Sequence, residues 1–340
     1  MKGALFLMPK LPLRIEVVRS NSKALSSLSI ESANSIVETL ERHYTDVIIT
    51  NIDTESDLTA LIARKPDLAF LGMHYVRSEA GLHPKIWISD SLEKNDIRHT
   101  GSGKFSHRLG LNKHLAKQRM IESGLQTSPF QIIRRENEEI INEGKLSFPL
   151  FVKPSNKGGG QGIDEFSVVR TVEELRAKVA TIHNVHHADA LVEEFLVGRE
   201  FSIALIGNHH SQKLTAMPIE LIAAKDSNGE RMLSKVVKSS NTEGVLEVTD
   251  PAERLRLKAF AINVFHALGA RDYGRIDVRF DKFGVPHFLE ANLIPSLIDG
   301  YGSFPKAYEM NLGLDYETML MQIVRLALNR EPKKILLFDN

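Results

Sequence analysis

The run FPLFVKPSNKGGGQGI, residues 148–163, decides how this chain is read. An apolar stretch ends in one lysine, Lys153, and the glycines Gly158, Gly159, Gly160 and Gly162 follow closely. A dinucleotide fingerprint G-x-G-x-x-G starting at Gly158 would need glycine at position 163, where Ile163 stands. No helix start follows. IDEFSVV (163–169) reads as another strand, so the stretch is a glycine-rich loop between two strands. Backbone without Cβ atoms lets N–H groups approach an anion closely, and Lys153 points toward the same place. A flexible hairpin with a surface lysine accounts for the loop, taken alone, equally well.

A second stretch weighs against that simpler reading. In GRIDVRFDKFGVPHFLEAN (274–292), two strands flank a turn over Asp281, Lys282, Phe283 and Gly284. Strand alternation puts Arg275 and Asp277 on one face and Glu290 and Asn292 on one face of the returning strand. A four-residue turn sets Asp277 opposite or diagonal to Glu290. Two carboxylates at 4 Å repel by about 4 kcal/mol at an effective dielectric near 20. A divalent cation removes that penalty, and oxygen-only ligands suit Mg²⁺ or Mn²⁺ together with substrate phosphates. The competing reading is a solvated strand face whose charges never meet, but both strands are embedded in apolar residues.

Between them, ALVEEFLVGREFSIALIG (190–207) holds Glu193, Glu194 and Glu200 on two expected strands. A strand edge offers N–H and C=O groups to a purine, and a carboxylate accepts from ribose hydroxyls. Exposed acids on amphipathic strands explain the pattern as well. HTGSGKFS (99–106) imitates a P-loop, but Arg98 and Phe105 stand where glycine and Ser or Thr are needed. The histidines of 183–187 and 209–210 read as solvated loop or helix ends.

The totals bound the class. The chain has 340 residues, 42% apolar and 25% charged, with acids and bases balanced at 43 each. That length implies two or three domains. A balanced charge gives no field toward nucleic acid or an anionic membrane. With no cysteine, thiolate metal sites, disulfides and a cysteine nucleophile are excluded. GALFLM (3–8) is too short for a signal-peptide core and reads as a first strand; no run approaches a membrane span. A cytoplasmic enzyme is the expectation.

Strands expected at 3–8, DVIITNI (46–52) and DLAFLGMH (67–74) alternate with helices over IESANSIVETLERH (30–43) and LTALIARK (58–65), a parallel α/β unit. One helix is expected over 107–124, a charged one near 137–144, and others over 171–183, 250–270 and 316–329. Thr171 with Glu174 forms a capping-box signature, and Asp250 with Pro251 marks another helix start.

Taken together these stretches resemble the ATP-grasp superfamily, most closely the D-alanine–D-alanine ligases. The glycine stretch resembles that family's phosphate loop, LVEEFLVGREFSIALIG its adenine segment, and GRIDVRF with FLEANLIP its metal segment. The resemblance runs in matching order from about residue 70 to 330. It implies an ATP-grasp α/β fold: an N-terminal parallel, Rossmann-like domain over 1–100, a central subdomain over 101–190 and a C-terminal subdomain over 191–335. The last two clasp the nucleotide. It implies that Lys113 and Lys153 contact ATP phosphates while the backbone of Gly158, Gly159, Gly160 and Gly162 closes over them. Glu193 and the backbone of Glu194, Phe195 and Leu196 would hold adenine, and Glu200 the ribose. Lys238 would serve as the basic residue of a mobile loop. Asp277, Glu290 and Asn292 would bind two Mg²⁺ (or Mn²⁺), and Arg275 would stabilise the negative oxygen of the reacting centre. The implied reaction is ATP-driven amide formation between a small carboxylate and an amine, amino acids or a short peptide. A homodimer is implied by resemblance alone.

This chain departs from the family on the amino-acid side. Gly159 and Gly160 replace two loop serines, Ser239 replaces a tyrosine, and Ser27 stands where a glutamate receives the substrate amine. HYVRSEAG keeps only His74, Glu79 and Gly81 of its motif, and Pro295-Ser296 replaces Pro-Gly, which places Ser296 at the reacting centre. The serine that meets the second substrate falls near Gly302 or Ser303. The nucleotide-side positions are retained, which implies the same reaction on a different substrate pair. The rival reading is a nucleotide-binding protein without catalysis. Retention of Arg275, Asp277, Glu290 and Asn292 speaks against it. A phosphorylating or carboxylating ATP-grasp enzyme is the third reading, and no biotin-carrier segment is apparent.

Overall fold

The computed structural model describes residues 9–22, 25–78, 85–136, 146–158, 160–207, 214–223 and 244–330. The strand expected at 3–8 and the charged helix expected near 137–144 lie outside these residues. So do Glu79, Gly81, Gly159, the histidines at 209–210, Lys238 and Ser239.

The N-terminal unit is a parallel sheet of β1 (Leu11–Arg19), β2 (Tyr44–Asn51) and β3 (Leu68–Leu71), in the order β2-β1-β3. Helices α1 (Ile30–Leu40) and α2 (Glu55–Arg64) connect the strands. Ser29 caps α1 by accepting from the Ser32 N–H, and Thr54 and Asp57 form a complete capping box on α2. The central strand β1 escaped the sequence reading because it carries Arg14 and Glu16. Glu16 is fully buried and accepts two bonds from Arg64 (2.9 and 2.7 Å), one from Arg14 (3.0 Å) and one from Thr50 (2.5 Å). A buried carboxylate survives only with such partners.

A ribbon of β4 (Tyr75–Arg77) and β5 (Lys85–Trp87) and the short α3 (Ile88–Lys94) lead to α4 (Lys104–Gly110) and α5 (Lys113–Glu122). The single helix expected over 107–124 is therefore two. The chain leaves helical geometry at Asn112, φ −125°. This break lets the Lys113 N–H reach the Ser155 carbonyl at 3.1 Å.

Two antiparallel sheets follow. The first is β6 (Phe130–Ile133), β7 (Leu150–Pro154), β8 (Val168–Val169) and β9 (Ala190–Glu194), ordered β6-β9-β7-β8 and packed on α6 (Val172–Val185). The strand expected over 163–169 shrinks to its last two residues. At α6 only half of the expected box forms: Thr171 accepts from the Glu174 N–H, but the Glu174 carboxylate accepts from Arg170 instead. The second sheet is β10 (Glu200–Gly207), β11 (Thr215–Ile222), β12 (Gly244–Glu247), β13 (Asp272–Phe280) and β14 (Pro286–Asn292), ordered β12-β11-β10-β13-β14. Helix α7 (Pro251–Ala267), capped by Asp250, packs on one side of it. Helices α8 (Ser303–Leu312) and α9 (Tyr316–Leu328) share one core with the N-terminal sheet through Phe304, Tyr308, Leu320 and Val324 against Ile15, Val17 and Phe70. Among the described residues no helix is long and apolar enough to cross a membrane.

Residues 195–199 carry the chain from the first antiparallel sheet to the second. There Gly198 donates to the Phe280 carbonyl at 3.0 Å. A Cβ at Gly198 would sit 2.4 Å from that same oxygen. Backbone cannot give way as a side-chain tip can, so Gly198→Ala is expected to cost about 1–3 kcal/mol. A lowered thermal midpoint reads this directly, and an unchanged one refutes the close approach.

Candidate active site

The site grows from the β13–β14 hairpin. Its loop is five residues, 281–285, one more than the sequence reading took, and Phe280 pairs with Pro286. Continued regularly, that register would set Leu289 opposite Asp277. A bulge between Asp277 and Val278 shifts it, so Asp277 pairs with Glu290 and Arg275 with Asn292. Bulges re-aim side chains in this way. The Arg275 guanidinium grips Asp277 with two bonds of 2.9 Å. Ser202 donates to Asp277 at 2.8 Å, and the Asn292 amide donates at 3.2 Å. Burial acts against the charge on Arg275, but Asp277 outweighs it and raises the guanidinium pKa.

Opposite stands the lysine system. Strand β7 delivers Lys153 and strand β9 delivers Glu193, and their side chains meet at 2.6 Å. Lys117, on α5, reaches the other oxygen of the same carboxylate at 2.7 Å. It also donates to Thr127 and Ser128 at 2.7 and 3.1 Å. All three side chains are buried. Burial pushes the Glu193 carboxyl up, but Lys117 and Lys153 outweigh it and hold it down at about 2. Burial likewise opposes the charge on Lys153, and Glu193 and Glu290 restore it, raising its pKa. The sequence reading did not single out Lys117. Its only sequence signal is a lysine one helical turn beyond Lys113, on a helix whose other polar residues gave no reason to bury it.

Lys113, at the first turn of α5, ties the two halves together. Its ammonium donates to the Lys157 carbonyl, at the root of the glycine loop, at 2.6 Å and lies 3.3 Å from Glu290. Within the loop Gly162 has φ 76°, and a Cβ there would strike Pro154 at 2.6 Å. Gly158 differs, since a Cβ there would meet nothing within 4 Å. No packing among the described residues demands a glycine at that position.

A cleft lies between the two antiparallel sheets. Lys153, Glu193, Glu194, Phe195, Leu196, Glu200, Asp277 and Glu290 all line it. The three separated stretches of sequence therefore converge. Arg279, unforeseen in the sequence, also lines it. It lies 3.4 Å from Glu200 and stacks its guanidinium over Phe195 at 4.9 Å. Arg275, Asn292 and Lys113 join through their bonds to Asp277 and Glu290. Ser296 does not line the cleft; it is half-buried in the segment after β14. Lys238 and Gly159 lie outside the described residues.

The donor set of the hairpin suits a hard cation: two facing carboxylates and an amide, all oxygen ligands, with no nitrogen or sulfur donor. Among the described residues no group of three or more His, Cys, Asp or Glu side chains is arranged for a metal. The remaining ligands of an ion held here would have to be substrate or water oxygens.

Residues 120–325 match the family model described as D-ala D-ala ligase C-terminus. The chain is 27% identical to the D-alanine–D-alanine ligase of Dechloromonas aromatica over 321 residues, covering 93% of this chain and 98% of that one. It is 30% identical to the uncharacterized protein y4sG of Sinorhizobium fredii over 249 residues, 70% of this chain and 69% of that one. Among solved structures, the D-alanine–D-alanine ligase of Bacillus anthracis superposes with a TM-score of 0.75 at 22% identity, covering 93% and 97% of the two chains. The VanG D-Ala:D-Ser ligase of Enterococcus faecalis does so with 0.72 at 21%, covering 93% and 100%. The shared fold is the ATP-grasp fold of those ligases.

Proposed function

This chain belongs to the D-ala D-ala ligase C-terminus family, and we propose that it is an ATP-dependent carboxylate–amine ligase with an altered amino-acid pocket. It forms an amide bond of the dipeptide type and releases ADP and phosphate. The observation that carries this reading is the meeting of Lys153, Glu200, Asp277 and Glu290 on one cleft between two sheets.

In this reading Lys153 and Lys113 face the phosphates, and the open space at Gly158 is where backbone N–H groups meet them. Glu193 keeps Lys153 charged and aimed. The backbone of Glu194 to Leu196 offers its edge to adenine, and Glu200 accepts from the ribose. Asp277, Glu290 and Asn292 hold Mg²⁺, which when bound neutralises phosphate charge. The substrate carboxylate oxygen bonds to the γ-phosphorus as the bond to ADP breaks, giving an acyl phosphate. The amine nitrogen then bonds to the acyl carbon, loses a proton, and phosphate departs. Arg275, held rigid by Asp277, stabilises the oxygen that gains charge. Positioned charge of this kind supplies most of the acceleration in phosphoryl transfer. Lys238 is assigned to closing the site and Ser296 to its amino-acid end.

Phosphate release from ATP and Mg²⁺, measured across pairs of amino acids, tests the proposal. Turnover is expected only when both a carboxylate and an amine partner are present. If no pair exceeds the background, the non-catalytic ATP-binding reading replaces this one.

A further inference from the structure

At the carboxyl end of β1 stands a charge that the proposed chemistry does not use. Arg19 is 8% exposed. Its Nη1 donates to Asn21 at 3.2 Å and Asn51 at 2.8 Å, while its Nε is buried with no partner. The nearby acid, Asp53, is taken up by Ser20 at 2.5 Å and by the backbone and side chain of Asn21 at 2.9 and 2.7 Å. Each other buried cation among the described residues faces a carboxylate. Lys113 faces Glu290, Lys117 and Lys153 face Glu193, Lys178 faces Asp164, and Arg279 faces Glu200. Arg19 has amide oxygens alone, which solvate a guanidinium without neutralising it. A buried charge without a counter-charge is costly, which is why such groups are normally paired.

Its place gives the missing partner a role. Open parallel sheets take ligands at the carboxyl ends of their strands. Strand alternation puts Arg19 on the face of Val17, whose core cluster includes Leu297. Val18, on the other face, shares a cluster with Met73 and Ile294. Ile294 and Leu297 flank Pro295-Ser296, the segment that leaves the Asp277–Glu290 hairpin. The loop after β1 is fixed beside β3 by the Ser27 N–H donating to the Gly72 carbonyl at 2.8 Å. Arg19 thus stands at the carboxyl end of a sheet whose two faces pack against the segment leading out of the hairpin, on the strand that precedes the loop carrying Ser27, a position at which this chain departs from the family.

We propose that Arg19 binds a carboxylate carried by one of the two substrates in addition to their reacting groups, so that the ligase acts on an acidic amino acid or similar dicarboxylate. This rests on the ligase reading and narrows it. The carboxylate would accept from the terminal guanidinium nitrogens, as planar bidentate pairing favours.

Two measurements on the full chain decide it. The first is phosphate release with ATP, Mg²⁺ and amino-acid pairs that include aspartate and glutamate of both chiralities beside alanine and serine. The acidic members are expected to raise turnover above the neutral ones. Arg19→Leu is expected to raise KM for the acidic member about 30-fold or more, the scale of losing one buried charge partner. Asn51→Asp sets a carboxylate against the guanidinium without truncating it and is expected to give a similar rise. Equal KM values in wild type and both variants, or a preference for neutral pairs, overturn the role of Arg19 and leave the ligase reading standing. The second measurement is calorimetric binding of aspartate and glutamate without ATP. It decides Arg19 even if no pair turns over: heat lost in both variants supports the site, and no heat with any acidic amino acid overturns it.

Discussion

Glu290→Gln and Asp277→Asn are each expected to lower kcat for amino-acid-dependent phosphate release by about 10³-fold or more, on the scale of losing a charge-stabilising group in phosphoryl transfer. Both replacements keep the side chain's shape while removing one negative charge from the hairpin and turning one acceptor oxygen into an N–H donor. They differ in what else they disturb. Asp277 is buried and holds Arg275 by two bonds of 2.9 Å, so Asp277→Asn also loosens a guanidinium that the mechanism needs in place. Glu290 is partly exposed and its ion pair with Lys113 is longer, 3.3 Å, so Glu290→Gln disturbs the fold little. The prediction is therefore sharper for Glu290→Gln: activity collapses while the thermal midpoint in the absence of ligand shifts little. Raising Mg²⁺ in the assay separates binding from chemistry. A lost ligand that weakens the ion's hold gives partial recovery at high Mg²⁺, whereas a purely structural role gives none. Activity near wild type in Glu290→Gln would remove the metal assignment altogether.

Much of this site was legible in the sequence because strands are periodic. Alternation alone put Arg275 and Asp277 on one face and Glu290 and Asn292 on one face of the returning strand, and the ladder sets Arg275 opposite Asn292 and Asp277 opposite Glu290. A four-residue turn leaves Asp277 opposite or diagonal to Glu290, and the structure sets them opposite. The loop is longer than its turn residues suggested, and a bulge restores the register; a bulge has no hydropathy signature. Strand β1 was missed because Arg14 and Glu16 interrupt its apolar run, and only the tertiary partners Arg64 and Thr50 make them tolerable. The helix expected over 107–124 has helical spacing throughout, and its break at Asn112 answers a long-range bond from Lys113 to Ser155. Lys117 and Arg19 share the same difficulty. A charged residue in a sequence reads as surface, and its burial depends on groups far along the chain.

Glu193→Gln is expected to destabilise the protein by about 3–5 kcal/mol, the cost of leaving buried charge uncompensated. One carboxylate here serves two ammonium groups, Lys117 at 2.7 Å and Lys153 at 2.6 Å, all within the interior. Removing Glu193 leaves two buried cations facing each other. Removing one cation leaves a neutral pair, so Lys117→Met is expected to cost less than Glu193→Gln despite deleting the more deeply buried partner. Denaturant midpoints at pH 7 rank the two directly. The pH dependence follows from the same charges. Glu193 is held at about 2 in the folded chain, below its ordinary value of 4.5. Its stabilisation is therefore complete above pH 4.5 and is lost as pH falls from there toward 2, because the unfolded chain takes up the proton first. The glutamine variant loses that acid-side slope. It gains a different one at alkaline pH, where burial already lowers the Lys117 pKa and removal of the carboxylate lowers it further. In that range the unfolded chain binds more protons than the folded one, so the variant is expected to become more stable as pH rises toward the ordinary lysine value of 10.5. A Glu193→Gln protein as stable as Lys117→Met at pH 7, with no alkaline gain, would show that the three side chains are not one buried charge system.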